Sequence, residues 1–377
     1  MTSDVLLLAG TRPEAVKVAP VALALAAHSE LRPVIVHSGQ HDGMVEQALA
    51  PFGLRHDERL PVLRASGTQA ELFSALLPEL DEVLLRRAPS AMLVQGDTST
   101  TLAGALAAFW RGIPVIHLEA GLRTGDLRAP FPEEGNRQMV SRIAALHLAP
   151  TEAAAAALRA ESVPHQRIVV IGNTVVDAVR HIAQAGLAPT DPVVGELAAT
   201  GGRLLLVTVH RRESWGEGLG RVLDAVRQIV TEHPDVVVLL PAHPNPAVSG
   251  QVDAAFDDHP AVRVTGPLDY PDLVWALRRS SLVLTDSGGI QEEAPSFGVP
   301  VLVAREVTER REAVDAGYAW LVGTDTSLIV AEARRLLSSR TRLAAEGNPY
   351  GDGTAGPRAV EAIENLLAQH PLAATTP

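Results

Sequence analysis

The segment Val5-Leu6-Leu7-Leu8-Ala9-Gly10-Thr11-Arg12-Pro13-Glu14 sets the reading of the whole chain. An unbroken apolar run ends at a glycine, followed by a cap-forming threonine and a proline suited to the first turn of a helix. A run that does not alternate with polar residues belongs to a strand buried on both faces, as in a parallel sheet covered by helices. The theme recurs at Val34–His37, Ala91–Gln95, Val115–Leu118, Ala145–Ala149 and Ile168–Ile171. It resumes at Leu204–Val209, Val236–Leu240, Val262–Thr265, Leu282–Thr285, Val301–Ala304 and Trp320–Val322. These runs, spaced by Ala/Leu-rich helical stretches, fit two doubly wound α/β sheets better than one. The break is expected near Gly172–Asn173. A last helix is expected over about Gly356–His370, followed by a frayed polar tail, Ala373–Pro377.

Composition agrees with two buried cores. The chain has 377 residues, 46% of them hydrophobic and 20% charged, while aromatics are only 3%, so Ala, Val and Leu must fill the interior. Cysteine is absent, which excludes disulfides, thiolate metal sites and a cysteine nucleophile. A net charge of −12 argues against a nucleic-acid partner. No apolar run approaches the ~18–20 residues of a membrane span, and Val5–Gly10 is too short for a secretory signal. A cytoplasmic protein is expected. Every basic residue but one is arginine; the exception, Lys17, marks a position where a compact ammonium is needed and a planar guanidinium does not serve.

In open α/β sheets ligands bind beyond the carboxyl ends of the strands, so the residues just after each apolar run carry the chemistry. Arg12 and Lys17, with the N–H groups of the helix that opens at Pro13, make an anion site suited to a diphosphate. Gln95-Gly96-Asp97-Thr98, His117-Leu118-Glu119-Ala120-Gly121 and Pro132-Glu133-Glu134 bring the carboxylates Asp97, Glu119 and Glu133 to successive strand ends. Taken singly, Asp97 can cap a helix and Glu133 can simply occupy a first helical turn. Together they form the acidic set that acid/base work requires. In the second half, His210-Arg211-Arg212 follows the first strand, and Asp286-Ser287-Gly288-Gly289-Ile290-Gln291-Glu292-Glu293 follows the fourth. There the glycines let backbone approach a ligand, Ser287 adds a hydroxyl, and Glu293 can accept from ribose. Neither a P-loop nor a dinucleotide fingerprint is present, so NAD is not supported. His-Glu-x-x-His, Asp-x-Asp and clustered histidines are missing, and no metal is expected.

Together and in this order, with Gly10-Thr11-Arg12-Pro13-Glu14, Glu119-Ala120-Gly121-Leu122-Arg123-Thr124 and His210-Arg211-Arg212-Glu213, these motifs resemble the bacterial non-hydrolysing UDP-N-acetylglucosamine 2-epimerases. The resemblance runs from about Val5 to the helix near Ala359–Leu367. It implies a glycosyltransferase-B-like fold: two Rossmann-like domains facing across a cleft, residues 1–173 and 174–356, with the last helix, about 357–370, crossing back to the first. It implies interconversion of UDP-GlcNAc and UDP-ManNAc by elimination of UDP to 2-acetamidoglucal and re-addition, with no cofactor, in a homodimer. By matching positions, Asp97, Glu119 and Glu133 share the proton transfers. Arg12, Lys17, His210 and Arg310 hold the diphosphate, and Ser287, Gly288, Gly289 and Glu293 hold phosphates and ribose. Alternatives are a hydrolysing relative that releases ManNAc and UDP, a UDP-sugar glycosyltransferase, and a catalytically silent nucleotide-sugar sensor.

The chain departs from the family pattern at three places. Val209 replaces the usual glycine before His-Arg-Arg, and Thr308-Glu309-Arg310-Arg311-Glu312 has lost a proline. Many bacterial members bind a second UDP-GlcNAc as activator; the corresponding residues here are Gln40, His41, Arg211 and His243. The long polar side chain expected near Gly43 is missing, so activation by UDP-GlcNAc is expected to be weak or absent.

Overall fold

A computed structural model describes residues 2–40, 43–62, 67–209, 215–257, 259–339 and 342–369. The chain divides into two compact units: Met1–Ala178 with Gly351–Pro377, and Val179–Tyr350. The expected frayed tail, Ala373–Pro377, lies outside the described residues.

The first unit opens with β1 (Ser3–Ala9), α1 (Arg12–Ala26), β2 (Leu31–His37), α2 (Met44–Leu49) and β3 (Glu58–Arg59). It continues with α3 (Gln69–Arg87), β4 (Ala91–Gln95), α4 (Ser99–Trp110), β5 (Val115–Leu118) and α5 (Glu133–Ile143). Next come β6 (Leu146–Ala149), α6 (Glu152–Ala160), β7 (Ile168–Val170) and α7 (Thr174–Ala185), within which the division falls. The strands form one sheet of order β3-β2-β1-β4-β5-β6-β7, every pair parallel. Connections run one way from β1 to β2 and the other way from β4 onward, so the switch point lies between β1 and β4, where a crevice forms.

The second unit contains α8 (Pro192–Ala199), β8 (Arg203–Thr208), α9 (Glu217–Glu232), β9 (Val236–Pro241) and α10 (Pro246–Phe256). Then follow β10 (Val262–Thr265), α11 (Tyr270–Arg279), β11 (Ser280–Thr285), α12 (Gly288–Glu293) and β12 (Val301–Val303). It closes with α13 (Arg311–Asp315), β13 (Ala319–Leu321) and α14 (Thr326–Ser338). Its parallel sheet has the order β10-β9-β8-β11-β12-β13, with the switch point between β8 and β11.

All twelve apolar runs are strands, eleven within two residues of the expected bounds and β2 starting three residues earlier, at Leu31. The strand not foreseen is β3, two residues at an edge, too short and too polar to leave a hydrophobic signature. Leu, Val and Ala build both cores, Leu6, Leu76, Leu80 and Met92 in one and Leu205, Val226, Val238 and Leu284 in the other. The final helix, α15 (Ala355–Gln369), returns to the first unit and packs on α1. Asp177 caps it, accepting from the N–H of Ala355 at 3.2 Å and of Gly356 at 2.8 Å. Among the described residues no helix is long and apolar enough to cross a membrane.

Candidate active site

The turn after β1 is a capping box. The Thr11 hydroxyl accepts from the Glu14 N–H, and Glu14 Oε2 accepts from the N–H groups of Thr11 at 2.7 Å and Gly10 at 2.8 Å. Glu14 is buried, and its second oxygen accepts from the Thr98 hydroxyl at 2.5 Å, tying this turn to the one that opens α4. Burial pushes the Glu14 carboxyl up, against the hydrogen bonds that favour its charge. Gly10 is required by packing: a Cβ there would stand 2.6 Å from Ser38 Oγ and 2.8 Å from Thr100 Oγ1. Arg12, in the first turn of α1, is exposed.

One turn further along α1, Lys17 is buried and its Nζ lies 2.5 Å from Glu119 Oε1. Glu119 follows β5 with a φ of +62°, a left-handed backbone that L residues rarely adopt and that concentrates at functional sites. Its other oxygen accepts from Gln95 Nε2, at the end of β4. Two residues past Gln95, Asp97 accepts a hydrogen bond from Arg137 Nη2, while its carbonyl accepts from Asn136 Nδ2 at 2.9 Å. Because β4 and β5 are paired neighbours, Asp97 and Glu119 leave the sheet side by side, with Lys17 reaching Glu119 from α1.

Glu133 sits at the start of α5, one turn before Arg137 and so on the same helix face. Among the described residues its carboxylate has no hydrogen-bond partner. Its neighbour Glu134 is a structural group, fully buried, accepting from Thr124 N, Gly125 N and Gln138 Nε2 and pairing with Arg137. Burial would raise the Glu134 carboxyl, but these partners outweigh it and hold it below the usual range. Arg137 thus braces Asp97 against Glu134.

In the second unit the Thr208 and Thr285 hydroxyls meet at 2.6 Å, and Thr285 Oγ1 accepts from the Ser287 N–H at 2.9 Å, shaping the turn into α12. Arg310 lies across this turn. Its Nε donates to Glu292 Oε1 at 3.0 Å, and a Cβ on Gly288 would stand 3.0 Å from its Cζ. The glycine therefore exists to let a guanidinium rest on the backbone beside Ser287. Thr308 orders the far side, donating to Gln291 Oε1 at 2.7 Å and accepting from the Arg310 N–H. Glu293 closes α12 and is buried.

Of the remaining candidates, Gln40 belongs to the first unit and His243 to the second. Gln40 Oε1 accepts from the Thr100 hydroxyl at 2.9 Å, and His243 Nδ1 accepts from the Asn245 N–H at 3.1 Å. Gly43 initiates α2 with a φ of +73°. His41, His210 and Arg211 lie outside the described residues.

Four groups escaped the reading by sequence: Glu14, Gln95, Arg137 and Glu292. Two of them carry a local signal, since Gln95 is a polar residue closing an apolar strand and Arg137 lies four residues after Glu133.

Residues 23–364 match the model of a family described as UDP-N-acetylglucosamine 2-epimerase. The UDP-N-acetylglucosamine 2-epimerase of Yersinia pestis is 43% identical over 370 residues, covering 96% of this chain and 98% of that one. That of Bacillus subtilis is 43% identical over 357 residues, covering 94% and 93%. Among solved structures, UDP-GlcNAc 2-epimerase from Neisseria meningitidis bound to UDP-GlcNAc superposes with a TM-score of 0.88 at 37% identity, covering 96% of this chain and 100% of that one. The Methanocaldococcus jannaschii enzyme in complex with UDP-GlcNAc and UDP gives 0.81 at 31% identity, covering 96% and 99%. A glycosyltransferase of kitacinnamycin, 15% identical with a TM-score of 0.63, shares the fold alone. With its doubly wound, glycosyltransferase-B-like units, the chain belongs to the UDP-N-acetylglucosamine 2-epimerases, a family of isomerases.

Proposed function

We propose that this chain interconverts UDP-GlcNAc and UDP-ManNAc. A carboxylate takes the C2 proton while the C1–O bond to UDP breaks, leaving 2-acetamidoglucal and UDP. Return of the proton to the opposite face of C2 and of UDP to C1 completes the inversion. The change is redox-neutral, so no redox cofactor is called for. The observation that carries this reading is the grouping of Lys17, Gln95, Asp97 and Glu119 at the ends of neighbouring strands beside the switch point, in a chain of this family. Acidic groups so close to cations are suited to passing a proton at a carbon flanked by them.

In this reading Asp97, Glu119 and Glu133 share the proton transfers. Lys17 pairs with Glu119 and, with Arg12, His210 and Arg310, stabilises the negative charge that grows on the departing diphosphate. Ser287, Gly288, Gly289 and Glu293 hold phosphates and ribose, so the second unit binds the nucleotide and the first works on the sugar. The protein acts as a cytoplasmic homodimer. Exposed Leu85, Phe109 and Trp110 on α3 and α4 are apolar surface of the kind a second copy covers.

Incubation with UDP-GlcNAc in D2O, followed by proton NMR, tests the reading. The expected result is UDP-ManNAc with deuterium at C2 in both nucleotide sugars. Free ManNAc with UDP would mean hydrolysis instead, and unchanged substrate would reject the activity. With glycine at position 43, UDP-ManNAc alone should turn over without a lag; strict dependence on added UDP-GlcNAc would show that activation is retained.

A further inference from the structure

Apart from the candidate active site, the first unit contains a second cluster of ligating side chains. His37 is the last residue of β2, Glu46 lies in the first turn of α2, and His56 precedes β3. In sequence they are scattered; the fold brings them together. His37 Nδ1 lies 3.3 Å from Glu46 Oε1, His56 Nδ1 lies 3.4 Å from the same oxygen, and the ligand atoms all fall within 4.8 Å of one another. The two rings are 5.8 Å apart and inclined by 56°, so both offer a nitrogen to one point without stacking.

These contacts are not satisfied hydrogen bonds. Among the described residues, both ring nitrogens of His37, Nδ1 of His56 and Oε2 of Glu46 are buried without a hydrogen-bond partner. His37 has no exposed surface at all. Buried polar atoms are ordinarily paired, and this many in one place call for a ligand. The spacing identifies its class. A tetrahedral ion bound at roughly 2.0–2.1 Å holds its ligand atoms about 3.3 Å apart, which is the separation of each imidazole nitrogen from the carboxylate oxygen here.

We propose that His37, Glu46 and His56 bind a divalent transition-metal ion of the zinc class. Two imidazoles and one carboxylate suit zinc, cobalt or nickel; magnesium and calcium prefer all-oxygen sites. The ion ties the end of β2, the start of α2 and the approach to β3 together. It sits next to Ser38-Gly39-Gln40, so it holds the segment from which Gln40 accepts the hydrogen bond of Thr100. Its role is to position this wall of the first unit, and the proposal does not depend on the epimerase reading.

The test uses full-length protein purified without a histidine tag, stripped with EDTA and titrated with zinc or cobalt(II). The expected result is one equivalent bound by calorimetry, a rise in melting temperature on zinc addition, and the intense visible absorption of tetrahedral cobalt. His56→Gln and Glu46→Gln, both at partly exposed positions, should fold, lose the cobalt band and weaken zinc binding by about tenfold or more. EDTA should lower the melting temperature of the wild type and leave that of His56→Gln unchanged. Less than one equivalent retained by the wild type, or zinc affinity unaltered in both variants, would overturn the proposal.

Discussion

At the scale of the residue, Lys17 and Asp97 bear the sharpest expectations. Asp97→Asn keeps the shape of the side chain and its contact with Arg137 but cannot take a proton. It should cut C2 deuterium exchange by roughly 10²-fold or more while UDP binding, measured by calorimetry, stays within a few-fold; normal exchange would remove Asp97 from the proton-transfer set. Lys17→Arg preserves charge, yet the pair with Glu119 is almost sealed from solvent, and a broad planar guanidinium does not reproduce the compact ammonium that meets Glu119 there. Turnover should fall by about tenfold or more, and unchanged kcat would make the singular lysine an accident. The singularity of Lys17 and the placement of Asp97 and Glu119 after apolar runs were legible in the chain itself. What was not legible is partnership. Lys17 meets Glu119, and Asp97 meets Arg137, only because the order β1-β4-β5 sets distant strand ends side by side.

Elements were more legible than contacts, because each buried parallel strand writes a continuous apolar run. Element β3 wrote none, and its two residues are placed by the neighbour His37↔Arg59 rather than by their own preference. The same edge gathers the histidines that sequence spacing gave no cause to group. The final helix offers a test of element packing. A Cβ on Gly356 would stand 2.7 Å from the Pro20 carbonyl oxygen, backbone of α1 that cannot rotate away. Although alanine is the better helix former, Gly356→Ala should destabilise the first unit by about 1–3 kcal/mol. Hydrogen exchange over 355–369 should rise in parallel; a variant as stable as wild type, with unchanged exchange, would show that α15 does not press on α1 as described.

At the scale of the whole molecule, two compact units, each with buried core of its own, mean that no single unfolding free energy describes the chain. A homodimer predicts twice the chain mass by light scattering, and Trp110→Glu should shift it towards monomer. The first unit also carries the acid response. His117, whose Nε2 lies 2.8 Å from the Gly96 carbonyl, and its neighbour His147 are buried in adjacent strands. Burial lowers His117 to about 4 and His147 to about 3, from an ordinary 6.5. The unfolded chain therefore takes up these protons at higher pH than the folded one. Their contribution is complete above about pH 6.5 and is lost as pH falls towards the folded values, on the order of 2 kcal/mol per imidazole by pH 5. Glu14 and Asp177 act in the opposite sense: burial raises both, so protonating them in acid relieves a cost and blunts the loss at the lower end. Denaturant titrations between pH 7.5 and 5, read by hydrogen exchange on peptides of β5 and β6, should show stability falling with pH, and the fall should be shallower in His147→Asn. Equal slopes in variant and wild type would mean that this imidazole is not held neutral by the fold.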